Sequence, residues 1–250
     1  MVTLLLQGAI AALILGCGFV ALGICRRHGN PPTLSIEGWR LTAAALLIAG
    51  SVAAVQASFA GLSVYLGASS TIYQQYIRWA PAANLSRSWL MLAFGALLLA
   101  LFASGGSRKV PRIAAPVLFL GALIGLVMGG VEGPLTAARH FPRVVVLDLV
   151  ELIVLGAVLL AGLVRSMDRL LWSFIVLYVV RLALNILWMA ARAWVDTPGI
   201  WVPSARGRVM ISAAFWAAML TVAGYRLLLA RRGIHPEALT LDPQPETHTR

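Results

Sequence analysis

Seven apolar runs, separated by short polar or basic breaks, organise the chain. The first is Val2 to Cys25, ended by Arg26-Arg27-His28 and a loop at Asn30-Pro31-Pro32. It is long and lacks a basic stretch in front, so a retained helix is expected rather than a cleaved leader. The second is about Trp39 to Gly67. A polar stretch follows from Ala68 to Ser88, where Tyr73, Tyr76 and Trp79 mix with Arg78 and Arg87. That mixture suits a headgroup layer, and part of it is expected to form a short interfacial helix broken at Pro81. The third run, Trp89 to Ser104, is short for a span and closes at Gly105-Gly106 and Arg108-Lys109. The fourth is about Ile113 to Val131, with Pro116 in its expected first turn. The fifth is Val144 to Val164, joined through the tight connection Arg165 to Arg169 to the sixth, Leu170 to Trp194. A wet loop with Asp196-Thr197-Pro198-Gly199, Trp201 and Pro203 precedes the seventh, about Val209 to Ala230, which Arg231-Arg232 ends.

A spanning helix needs about 20 mostly apolar residues. The pattern therefore predicts an all-α fold, an integral membrane bundle of about seven transmembrane helices. A polytopic transmembrane domain fills residues 1–232, and residues 233–250 form a polar cytoplasmic tail, mobile unless a partner holds it. One set of loops carries Arg26, Arg27, Arg108, Lys109, Arg112, Arg165, Arg169, Arg231 and Arg232. The other carries Arg78, Arg87, Arg139, Arg143, Arg206 and Arg208. The first set is the richer, so the N-terminus is expected outside and the C-terminus in the cytoplasm. If the short third run failed to span, everything after it would flip.

Composition agrees with this pattern. Of 250 residues, 60% are hydrophobic and 12% charged, against roughly 25% charged in a soluble domain. Such an excess of apolar surface needs lipid as its solvent. The net charge of +11 could suggest nucleic acid, but the basic residues punctuate gaps between apolar runs and form no stripe, so no nucleic-acid partner is expected. All the basic residues but Lys109 are Arg, a skew that suits a GC-rich bacterial genome. The expected location is the bacterial cell inner membrane, multi-pass. Cys17 and Cys25 lie more than two helical turns apart, too far to bridge, and form no CxxC pair.

Candidate chemistry gathers on the fifth and sixth helices. Asp148 and Glu151 are three residues apart and share a face. Arg181 lies near the middle of the sixth run, followed on the same face by Asn185, Trp188 and Arg192. A charge at mid-membrane costs about 2.5–3.5 kcal/mol even on insertion scales, so these side chains should face the bundle interior or water and seek partners. Depth along antiparallel helices lets Glu151 meet Arg181 or Asn185, and brings Asp148 nearer Arg192 or Trp188. Asp148, Glu151, Arg181 and Asn185 are thus candidates for a ligand or ion pathway. A charge-paired clamp between two helices, or a contact with a partner's helix, uses the same residues.

Small residues are the second signal. Gly121, Gly125 and Gly129 recur every four residues on the fourth helix, a row that lets another helix approach closely. Ser51, Ala54, Ser58 and Gly61 make a similar narrow face on the second, with Gln56 nearby. Glu132 beside Gly133-Pro134 and His140 beside Arg139 and Arg143 read as outer-end residues.

Absences narrow the function. No histidine lies within an apolar run, which argues against a bilayer-spanning haem. No clustered His and carboxylates suggest a metal site. No catalytic residues are assigned, because no Gly-x-Ser-x-Gly elbow, P-loop or HExxH occurs. The stretch Ile72 to Trp79, with Arg78, is similar to an arginine-bearing segment of the microbial rhodopsins. Retinal would need a Schiff-base lysine on the seventh helix; Val209 to Ala230 has none, so covalently bound retinal is not expected and that family is not adopted. A bound lipid or pigment remains open, since apolar grooves suffice for either, and the cofactor is otherwise unknown. The reading is a non-enzymatic accessory or receptor-like subunit of a larger membrane complex, with membrane lipid and other membrane protein subunits as partners. The alternatives are a small transporter or channel using the Glu/Arg/Asn cluster, which predicts a water-filled path to it, and a lipid-modifying membrane enzyme with Asp148 and Glu151 as acid and base. The subunit reading predicts a closed interior and an apolar outer groove.

Overall fold

The computed structural model describes residues 2–27, 33–67, 69–131, 137–193 and 205–240. It is all-helical, and no strand occurs among the described residues. Seven helices, α1 Val2–Arg27, α2 Leu34–Leu66, α3 Thr71–Ala103, α4 Lys109–Val131, α5 Ala137–Val164, α6 Arg169–Ala193 and α7 Ala205–Arg231, run back and forth, and a short 3-10 turn follows at Pro236–Leu239. All seven are long and apolar enough to cross a membrane. Glu132, Gly133, Pro134, His28, Asn30, Pro31, Pro32, Asp196, Thr197, Pro198, Gly199, Trp201, Pro203 and His248 lie outside the described residues, as do the side chains of Arg139, His140 and Arg192.

Two expectations about helix extent are corrected. The polar stretch before Trp89 is not a separate interfacial helix: α3 runs unbroken from Thr71 to Ala103 with Pro81 inside it. Proline removes one backbone donor, but neighbours α2, α4 and α5 pack along α3 and hold the helix through it. Ser70 caps its start, its Oγ accepting from the Tyr73 N–H at 3.2 Å. The third run is therefore the second half of a helix of 33 residues, about 50 Å long. Likewise α4 begins at Lys109, so Pro116 is interior and not in the first turn.

Six helices close a ring in the order α1, α2, α3, α5, α6, α7 and back to α1, while α4 sits outside it against α3. The glycine row explains that seat. A Cβ on Gly121 would meet the Trp89 carbonyl oxygen at 3.1 Å, one on Gly125 the Leu85 carbonyl oxygen at 2.4 Å, and one on Gly129 the Ala82 Cα at 2.4 Å. The helices touch backbone to backbone, and Ser86 Oγ donates to the Ala122 carbonyl at 2.8 Å across the seam. The neighbour of the glycine face thus belongs to this chain. The opposite face of α4 presents Phe119, Leu120, Leu123 and Val127 outward.

The core runs through the ring from Trp39, Leu98 and Phe102 to Leu155, Leu171 and Met219. At one end, helix termini and connections knit together. Arg165 Nη2 donates to the Ala103 carbonyl at 3.5 Å, and the Asp168 N–H donates to Ser35 Oγ at 3.0 Å. The α5–α6 connection turns through Ser166, at φ 55°, with the Met167 N–H reaching back to the Gly162 carbonyl at 2.9 Å. The first part of the tail is held here too. Arg169 Nε donates to the Thr240 carbonyl at 2.8 Å, Asp168 and Thr240 form an antiparallel bridge, and Pro236 is buried. The expectation of a tail held only by a partner is corrected for residues 233–240: the chain itself holds them.

Candidate functional site

On α5 the three-residue spacing of Asp148 and Glu151 turns both carboxylates into the ring, where they are 5% and 2% exposed. On α6 the positions Tyr178, Arg181 and Asn185 share the face that looks back at them. Tyr178 Oη donates to Glu151 Oε1 at 2.6 Å, and Asn185 Nδ2 donates to Asp148 Oδ2 at 3.2 Å. The structure therefore brings the four sequence candidates into one cluster but pairs them differently. Glu151 takes Tyr178 rather than Arg181 or Asn185, and Asp148 takes Asn185 rather than Trp188. Arg181 lies over aromatic rings, 4.9 Å from the centroid of Tyr178 and 5.3 Å from that of Trp216 on α7. Contacts of this kind are worth about 0.5–2 kcal/mol, depending on how far they are desolvated.

Helices α2 and α3 extend the polar layer. Asn84 Oδ1 accepts from Arg87 Nη2 at 2.9 Å and from Gln56 Nε2 at 3.2 Å. Three arginines of this half of the bundle, Arg87, Arg181 and Arg208, each have a buried Nε with no hydrogen-bond partner. Between α6 and α7 a cavity of about 30 Å³ is lined by Arg181, Asn185, Trp188, Arg208, Ser212 and Phe215 among others. A much larger apolar groove of about 420 Å³ lies on the outside between α2 and α3. Val55, Phe59, Trp79 and Ala83 line it, Leu126 of α4 forms part of the wall, and Ser51, Gln56, Gln75 and Ser86 supply its few polar atoms.

A second polar cluster went unread in the sequence. Asp168, just before α6, is fully buried. Its Oδ2 accepts from Arg226 Nε at 2.6 Å and from Trp39 Nε1 at 3.3 Å, and its Oδ1 accepts from the Leu170 N–H at 2.9 Å. Arg226 and Asp168 are each 0% exposed. An Asp directly before an apolar helix is an N-cap signal, and Arg226 interrupts the seventh apolar run. Those two signals were available, but nothing in linear order linked them to Trp39.

No three His, Cys, Asp or Glu side chains among the described residues are grouped to hold a metal ion. Cys17 and Cys25 are buried and free. Comparison with known proteins gave no matching family model, no matching curated protein and no matching solved structure.

Proposed function

We propose that the chain is a multi-pass protein of the bacterial inner membrane, with its N-terminus outside and its C-terminus in the cytoplasm. In this reading it is a non-enzymatic, accessory or receptor-like subunit whose partner inserts an apolar transmembrane helix between α2 and α3. The observation that carries it is the outer groove of about 420 Å³. Next to that groove, Ser51 and Ser58 of the narrow α2 face are exposed, their hydroxyls returned to the Leu47 and Ala54 carbonyls. A Cβ on Gly61 would meet nothing within 4 Å. A small-residue row of this kind favours close helix approach. On α4 the equivalent row is taken by α3; on α2 part of it faces outward. Such a row beside a groove suits a helix better than a flexible lipid chain, which needs no narrow face.

The interior supports the same choice. Each α5 carboxylate is held by an α6 donor, and the adjoining cavity, about 30 Å³, has room for about two waters. A transport path would need a wider opening. Orientation rests on the basic end, where the α3–α4 and α5–α6 connections and the tail meet, in keeping with the bias of positive charge toward the cytoplasm.

Photo-crosslinking in native membranes tests the reading. A photoreactive residue placed at Val55 or Phe59 should give one discrete protein adduct, and Ala83→Trp, which fills the groove, should abolish it. The same residue at Ile153, which is 71% exposed on α5, should give none. Adducts with lipid alone at all three positions would overturn the proposal.

A further inference from the structure

We propose that the cavity between α6 and α7 binds one small monovalent anion of halide size. The inference does not depend on the subunit reading. Arg181 enters from α6 and Arg208 from α7, and the Nε of each is buried without a hydrogen-bond partner. Arginine offers donors and no acceptor, so two guanidiniums converging on one void define a place for negative charge. A buried donor left unsatisfied carries a desolvation cost, larger when charged, which gives an anion a reason to enter.

The remaining lining fits. The Ser212 hydroxyl can donate, and the Asn185 amide that donates to Asp148 has a second hydrogen to offer. Trp188 and Phe215 line the void with aromatic surface. The carboxylates of the layer do not occupy this role. Asp148 accepts from Asn185 and Glu151 from Tyr178, and no described acidic side chain lines the cavity. Charge points the same way among the buried groups described in this half of the bundle, with Arg87, Arg181 and Arg208 against Asp148 and Glu151. An anion in the cavity offsets the positive charge of Arg181 and Arg208.

Size sets the class. At about 30 Å³, against the roughly 10–15 Å³ that a water requires, the space beside the two arginines suits a monatomic anion better than a hydrated phosphate or sulfate.

The test is chloride NMR line broadening on the purified full-length chain in mild detergent, with gluconate holding ionic strength constant. A saturable excess broadening is expected, competed away by bromide and not by sulfate. Arg208→Gln should weaken it at least tenfold. Arg206→Gln, an exposed charge on the same helix end, should leave it unchanged. If Arg208→Gln does not fold, Ser212→Ala replaces it, with at least a threefold loss expected. No saturable broadening, equal losses in the two arginine variants, full competition by sulfate, or an unchanged Ser212→Ala would each overturn the proposal.

Discussion

Asp168→Ala is expected to destabilise the bundle by about 3–5 kcal/mol, the cost of breaking a buried ion pair from one side. The loss is large because Arg226 is 0% exposed and its Nη1 and Nη2 have no other partner. Removing the carboxylate strands a full charge inside the protein. It also frees the Trp39 indole N–H and uncaps the start of α6 at Leu170. Three parts of the chain, α2, the start of α6 and α7, meet at this one side chain. The measurement is unfolding of the detergent-solubilised protein. The double variant Asp168→Leu with Arg226→Met should recover most of the loss, because apolar replacement of both partners removes the stranded charge. A double variant as unstable as Asp168→Ala would mean that the pair itself matters less than the packing around it.

Gly125→Ala should unseat α4. Its Cβ would lie 2.4 Å from the Leu85 carbonyl oxygen and 2.6 Å from the Ser86 Cα. These are backbone atoms of a long helix and cannot step aside, so the two helices must separate. The cost is at least the roughly 1–3 kcal/mol of ordinary overpacking, and the Ser86 to Ala122 hydrogen bond goes with it. Because α4 meets the ring mainly through α3, with only a minor contact to α2, little else holds it. A disulfide between cysteines placed on facing α3 and α4 positions should form in the parent and fail in the variant. Gly156→Ala is the control. Nothing lies within 4 Å of that Cβ, and alanine gains up to about 1 kcal/mol in helix propensity.

Long apolar runs were legible because they need no knowledge of neighbours: seven runs became seven helices. The first half of α3 was hidden because Arg78, Pro81, Asn84 and Arg87 dilute its hydropathy. Asn84 is paired with Arg87 and Gln56, and Arg78 is exposed, so the polar positions do not break the helix. The glycine row on α4 was readable as a packing face, but sequence spacing cannot say which helix fills it. The α5 and α6 candidates followed from charge in an apolar run. Their pairings did not, since depth along a helix leaves rotation about its axis free. Arg181 settled over Tyr178 and over Trp216 from α7, a helix that entered no part of the depth argument. The Asp168 cluster escaped for a related reason. Its parts, Ser35, Trp39, Asp168 and Arg226, are scattered over almost the whole chain and meet only when the ring closes.

The central claim is a chain of seven crossings with the basic end in the cytoplasm, and single-cysteine labelling in intact cells tests it most directly. Cys17 and Cys25 are first replaced by Ala, and Ser69, Ser107 and Arg232 are changed to Cys one at a time. The account predicts that Ser69→Cys reacts with a membrane-impermeant maleimide from outside, while Ser107→Cys and Arg232→Cys react only after permeabilisation. If positions 69 and 107 label from the same side, α3 does not cross, and both the topology and the function built on it are contradicted.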